Sequence, residues 1–206
     1  MRPEGGSPSR PVAVAITGGI GAGKTEALNA FARHGAATIS SDDIVHRLLR
    51  QDDDVRAALL EHFGTGILDD AGNPDRAAIS RIVFDDPREL AWLESLLHPR
   101  VVAEYLAWRE GLAELPDPPA VSVTEVPLLY EVGGADRFDA VVVISAPAEV
   151  RRARARVAAE EREGRLLAEE EKAARADFSY VNDGTRQQLD DFVAETMRAL
   201  EAGRRE

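Results

Sequence analysis

Eight consecutive residues, Gly18-Gly-Ile-Gly-Ala-Gly-Lys24-Thr25, carry the strongest chemical signal in the chain. They fit the spacing G-x-x-x-x-G-K-[ST], in which glycines let successive backbone N–H groups turn inward around an anion. A lysine at that place reaches β- and γ-phosphates, and the hydroxyl after it is placed for Mg²⁺. The pattern has meaning only between a strand and a helix, and both are legible here. The apolar run Val12–Thr17 leads in, and the helical pattern Lys24–Arg33 leads out. The choice of basic residue points the same way. Of 25 Lys and Arg residues, 23 are Arg; only Lys24 and Lys172 are Lys. A nucleoside triphosphate is the expected ligand.

Phosphoryl transfer to an alcohol also needs a proton acceptor, and two carboxylates stand at strand ends where one could act. The second strand candidate ends in Ile39-Ser-Ser-Asp42-Asp43. Asp42 could take the proton of an acceptor hydroxyl, or Ser41 or Asp42 could simply N-cap the next helix. Glu125 closes the strand Val121–Val126, where a carboxylate could hold a magnesium-bound water or stand as a strand-end charge. The histidines His34, His46, His62 and His98 show no ligand spacing,. With no cysteine, disulfide scaffolds, thiolate metal sites and thiol catalysis are excluded,.

These groups meet only if several strand ends lie side by side. Short apolar runs predict strands at Val12–Thr17, Ala37–Ser40, Ala120–Val126, Ala140–Ser145 and Phe178–Val181. None alternates strictly, as suits strands buried on both faces of a parallel sheet. Helical patterns lie between them: Lys24–Arg33, Asp42–Arg50, Asp54–Phe63, Arg76–Phe84, Pro87–Leu96, Pro99–Leu115, Pro147–Glu163 and Arg186–Glu201. Pro99 is read as the first residue of a new helix, where proline is well tolerated. Strands alternating with helices predict an α/β fold, a five-stranded parallel sheet with helices on both faces. Residues 12–206 are read as one domain after a disordered tail, Met1–Pro11. About eighty residues of helical pattern separate the second and third strands, too long for one crossover, so a helical insertion spans about 43–118. Leu115-Pro-Asp-Pro-Pro119 closes it,. A charged arm covers about 149–175, with six Arg between 151 and 165.

Composition narrows the class. The formal net charge is −12, which offers a polyanion no overall basic field, so nucleic acid is not an expected partner,. No apolar run reaches a membrane span,; a cytoplasmic monomer is expected. The guanine-reading Asn-Lys-x-Asp motif and the protein-kinase motif set are both absent,. A small phosphotransferase remains, its acceptor at the carboxyl ends of the strands.

From about Val12 to Asn182 the chain resembles the dephospho-CoA kinases. The likeness begins with Thr17-Gly-Gly-Ile-Gly-Ala-Gly-Lys and continues through Ile39-Ser-Ser-Asp42, which matches an I-D-A-D stretch at its second Asp. Phe63-Gly64, Arg76, Val83-Phe84 and Leu97-His98-Pro99 follow in family order. Val126-Pro-Leu-Leu-Tyr-Glu131 resembles V-P-L-L-F-E, and Ala176-Asp177 with Asn182-Asp-Gly184 resembles the A-D…N-x-G close. The resemblance implies ATP-dependent phosphorylation of the ribose 3′-hydroxyl of dephospho-CoA, the last step of coenzyme A synthesis. It implies a nucleotide core, a helical CoA-binding insertion and an Arg-bearing lid. Asp42 takes the base role, Thr17 and Lys24 act on the phosphates, and Arg152 with Arg156 match the lid's R-x-x-x-R. ATP contacts fall on Gly19, Ile20, Gly21, Ala22, Gly23, Lys24, Thr25, Glu26, Arg156 and Asn182. Acceptor contacts fall on Asp42, His46, His98, Pro127 and Leu128. Thr25 is the implied Mg²⁺ ligand, with Glu125 acting through water.

The chain departs from the family pattern at several points. Ser40 replaces the first Asp of I-D-A-D, and His46, with Arg47 adjoining, stands where an Arg follows the catalytic Asp. The arm between Arg156 and Ala176 is about five residues short, and Leu166 replaces a Gln. Two other readings fit the loop: a small P-loop kinase for a nucleoside monophosphate or another metabolite, and a nucleotide-binding module without turnover.

Overall fold

The computed structural model describes residues 10–154 and 167–203. Five strands, β1 (Val12–Thr17), β2 (Ala37–Ser40), β3 (Val121–Glu125), β4 (Ala140–Ser145) and β5 (Phe178–Val181), form one parallel sheet in the order β2-β3-β1-β4-β5. The helices are α1 (Lys24–Arg33), α2 (Ser41–Gln51), α3 (Asp53–Phe63), α4 (Arg76–Asp85), α5 (Pro87–Ala113), α6 (Ala148–Arg154), α7 (Glu169–Ala174) and α8 (Arg186–Gly203). The expected parallel α/β fold is borne out. The expected helix Pro147–Glu163 is described only as far as Arg154; Arg156, Leu166 and most of the tail lie outside the described residues.

Apolar runs without alternation mean two covered faces, and that is how the strands pack. Val14, Ile16, Val123, Val142 and Ile144 meet Phe31 of α1 and Leu189, Val193, Met197 and Leu200 of α8 on one face. Ala15, Val141 and Val143 meet Leu129, Tyr130 and, from α7, Ala173 on the other. Each large apolar side chain so buried contributes about 1.5–3 kcal/mol, which makes this two-sided burial the main stabiliser of the sheet. Arg33 and His34, at the end of α1, both reach Asp190 of α8, at 2.8 and 3.0 Å. The Arg33 guanidinium, and after it His34, hold the Asp190 carboxyl below its usual range.

The chain divides into two compact units. One runs up to Ser40 and resumes at Trp108; the other is Ser41–Ala107. The second is helical, its buried side chains including Ile44, Leu48, Val55, Leu59, Ile79 and Val83. Asp52 caps α3 by accepting from Val55 N–H at 2.9 Å, and Asp75 caps α4 by accepting from Ala77 N–H at 2.9 Å. His62 stacks on Trp92 at 3.7 Å, tying α3 to α5.

One expectation is corrected here. The two helices read on either side of Pro99 are a single helix of 27 residues, α5, with Pro99 inside it. Leu97, Val101 and Tyr105 explain why: they are buried at intervals of four and keep one apolar face in phase across the proline,. Side chains also take up carbonyls nearby, with Arg100 Nη1 donating to Leu96 O at 2.8 Å and Ser95 Oγ to Trp92 O at 2.7 Å. Packing outweighs the local preference of proline to end a helix.

Asp139 fastens the start of β1 to the turn before β4. It accepts from Arg10 Nη1 and Nη2 at 2.6 and 2.7 Å and from Ala13 N–H at 2.8 Å. The Arg10 hydrogen bonds hold its carboxyl below the ordinary value of 3.8. A depressed carboxyl contributes stability above its unfolded pKa and loses it as pH falls through the folded one. Asp139→Asn is therefore expected to cost about 1 kcal/mol at pH 7, since the pair is partly exposed, or roughly 2–4 °C of thermal midpoint. The gap to wild type should close as pH falls below about 4, measured by thermal melts across pH.

Candidate active site

Chain order in the sheet reverses beside β1, with β3 and β2 on one side and β4 and β5 on the other. The carboxyl end at such a switch point is where open α/β sheets receive ligands. The phosphate loop starts there. Its last glycine, Gly23, is the N-cap of α1 at φ 100, ψ 25, a left-handed conformation that favours glycine, and a Cβ would also run into the Asn182 amide,. No side chain caps α1. The first N–H groups of a helix have no intrahelical acceptor, which makes such a helix start a place for an anion.

The loop's carbonyls are taken up in turn. Lys24 Nζ donates to Gly18 O at 3.1 Å and Gly19 O at 2.9 Å. The buried Asn182 amide Nδ2 donates to Ala22 O at 2.8 Å, while the Asn182 N–H donates to Ser145 O at 2.7 Å and locks the residue to the end of β4. Thr17 is fully buried, and its hydroxyl donates to Pro127 O at 3.1 Å. Val126 N–H donates to Ile16 O at 2.8 Å, so the chain leaving β3 is held against β1. Glu125, the last residue of β3, is 5 % exposed and pairs in register with Ile16 on one side and Ser40 on the other. A solvated strand-end charge does not describe it.

The outer side of the loop is packed by two residues the sequence gave no reason to single out. A Cβ on Gly19 would strike the Glu169 carboxylate and come within 3.4 Å of Arg151 Nη1. Glu169 Oε2 accepts from Ala146 N–H at 3.3 Å; its Oε1 lies 3.5 Å from Arg151 Nε, which itself donates to Ala146 O at 3.1 Å. The Arg151 backbone also stands close to Gly21. On α6, Arg151 thus packs on the loop and Arg154 Nη1 donates to Asn182 O at 3.1 Å, whereas Arg152 is exposed on the same helix. Thr25 is exposed at the start of α1, and Glu26 faces Arg33 at 3.5 Å. Pro127 and Leu128 are half-buried in the turn after β3, and Ile20 is half-buried within the loop.

The other sequence-predicted residues belong to the helical unit. Asp42 and His46 lie exposed one turn apart on α2, and His98 is half-buried in the middle of α5. Asp42 stands at the second position of α2; its side chain is 63 % exposed, caps no N–H, and has Arg76 Nη2 3.9 Å away. Ser41 Oγ is buried without a hydrogen-bond partner. Neither residue caps the helix, so the bland alternative for Asp42 is not realised.

Oxygen donors near the loop fit a hard cation. Thr25 offers an open hydroxyl and Glu125 a carboxylate, and among the described residues no three His, Asp or Glu side chains gather as a metal cage. Mg²⁺ is commonly held in this way, by one or two protein oxygens and the phosphates of its substrate.

The chain is similar to known proteins in both sequence and fold. The sequence pattern of the dephospho-CoA kinase family matches residues 12–188. A dephospho-CoA kinase of Mesorhizobium japonicum is 37% identical over 198 residues, covering 95% of this chain and 92% of the relative. One of Thermobifida fusca is 34% identical over 199 residues, covering 91% and 96%. A crystal structure from Thermus thermophilus superposes with a TM-score of 0.73 at 30% identity, covering 93% of this chain and 97% of that one.

The Asn182 bond to the loop yields a test. Asn182→Ala leaves Ala22 O without its donor, and ATP affinity is expected to fall about five- to tenfold by calorimetry, the worth of roughly one such bond. Asn182→Asp should be worse than Ala, because a carboxylate would face that carbonyl.

Proposed function

The chain belongs to the dephospho-CoA kinase family and as such phosphorylates dephospho-CoA to coenzyme A with ATP as donor; we propose that its residues divide this work as follows. The observation that carries the reading is the uncapped start of α1, with Lys24 bound to the loop's own carbonyls beside it. ATP lays its phosphates on N–H groups of the loop and of the start of α1. Lys24 supplies a fixed positive charge to oxygens that gain charge as the terminal phosphoryl group departs. Asn182 acts on ATP through the loop backbone.

Acceptor contacts are assigned to His46 and His98 of the helical unit Ser41–Ala107 and to Pro127 and Leu128 of the turn after β3. Asp42 is the general base. Its exposed carboxylate, free of any cap, accepts the proton of the ribose 3′-hydroxyl as that oxygen bonds to the γ-phosphorus. The bond from the γ-phosphorus to the bridging oxygen breaks, and ADP leaves with the electron pair. Thr25, and Glu125 through water, would hold a Mg²⁺ ion, which would supply charge neutralisation at the phosphates. Arg152 is the arginine offered to the phosphates from α6. The same proposal takes the protein as a cytoplasmic monomer, in keeping with a cysteine-free chain of net charge −12,.

ATP consumption with dephospho-CoA, beside AMP, dCMP and shikimate, is the direct test; turnover is expected with dephospho-CoA alone. Lys24→Ala should lower turnover by about 10²–10³ while leaving the melting curve in place. Asp42→Asn should lower turnover by about 10²–10⁴ with unchanged thermal midpoint and ATP dissociation constant. Unchanged turnover in a stable Asp42→Asn chain would move the search for the base to Glu125.

A further inference from the structure

Lys172 is one of two lysines in a chain that otherwise uses arginine, and the phosphate chemistry does not account for it. It is fully buried on α7. Its Nζ lies 2.7 Å from Glu131 Oε1, in a pair whose side chains are 1% and 14% exposed. The same Oε1 accepts from Leu167 N–H at 3.1 Å, and Glu131 Oε2 is buried with no hydrogen bond. The ammonium itself makes no aligned hydrogen bond, so the contact is a charge pair held by proximity. Removing either member would leave an uncompensated buried charge. Arginine would bring a fork of five N–H donors, each needing a partner, into a place that offers one carboxylate. A compact point charge is what fits.

Glu131 lies within the turn that follows Val126. That turn holds the Thr17 hydroxyl through Pro127 O, packs Leu129 and Tyr130 into the sheet's second face, and places the Arg175 guanidinium 4.4 Å from the Tyr130 ring. Three residues before Lys172, on the same face of α7, Glu169 sits against Gly19 of the phosphate loop and Arg151,. One short helix therefore touches the phosphate loop with one carboxylate and the turn after β3 with one ammonium.

We propose that Lys172 is a positioning residue for the acceptor: through Glu131 it sets the Val126–Glu131 turn, so that Pro127 and Leu128 meet dephospho-CoA in register with the phosphate loop. This rests on the reading of Pro127–Leu128 as acceptor contacts. Lys172 touches no substrate, and its effect is carried by the turn.

Two variants test it, each assayed for thermal midpoint and for the KM of both substrates. Lys172→Met should lower the midpoint and raise the KM for dephospho-CoA about tenfold, with the KM for ATP within about threefold of wild type. Lys172→Met/Glu131→Gln removes both charges and keeps an oxygen for Leu167 N–H. It should recover most of the midpoint, as neutral replacement of a buried pair does, yet keep the raised KM for dephospho-CoA. A merely structural pair predicts that stability and KM recover together, and that outcome overturns the proposal. So does a parallel rise in both KM values, or a double variant that fails to fold. If the single variant fails to fold, the double variant decides. Wild-type chain that does not turn over dephospho-CoA would instead strike the functional reading, and Pro127→Ala or Leu128→Ala with unchanged KM would strike the acceptor assignment on its own.

Discussion

A loop that offers its backbone N–H groups to an anion must have its carbonyls satisfied by something else, and much of the nucleotide-side architecture answers that requirement. Lys24 takes the Gly18 and Gly19 carbonyls, and Asn182 takes that of Ala22. Asn182 can do so only because its own N–H is fixed to Ser145 at the end of β4. The central place of β1, with a strand on each side, brings those partners within reach although they lie up to 160 residues away in the chain. The side of the loop away from the nest is then open to packing. Glu169 and Arg151 fill it against a glycine whose missing Cβ makes room.

Local signals were the legible ones. The loop, its flanking strand and helix, and the apolar runs of all five strands depend on neighbours within a few residues, and the sequence displays them directly. Pro99 shows where local reasoning stops: its ring argues for a break, but the buried stripe of Leu97, Val101 and Tyr105 carries one helix through. The same limit explains the choice between Arg151 and Arg152. They are adjacent in sequence and alike in type, and only the path of α6 decides which is packed on the loop. Glu169 had no signal at all, being one acid among three in Glu169–Glu171. For Asp42 the sequence left cap and base open, and the start of α2 one residue earlier removes the cap.

Charge is used sparingly inside the sheet unit. Several ionic contacts are partly exposed, such as Arg10 with Asp139 or Arg33 with Asp190, and such pairs contribute little each,. The Lys172–Glu131 pair differs in being buried, where desolvation makes a charge costly unless it is matched,. A buried pair is a poor way to add stability and a good way to demand one arrangement. The turn it fixes also holds Thr17, the residue that opens the way into the loop.

The strand order also governs how the chain assembles on the ribosome. Among the described residues β1 pairs only with β3 and β4, and β2 only with β3, so Val12 finds its first sheet partner at Val121. At about 5–20 residues per second, the nascent chain carries its first two strands unpaired for several seconds or more. The helical unit Ser41–Ala107 is fully synthesised within that interval, before the sheet can close. The apolar edges of β1 and β2 are therefore exposed during synthesis for as long as β3 is missing, and translation speed across residues 41–120 sets how long the newborn enzyme needs protection from aggregation.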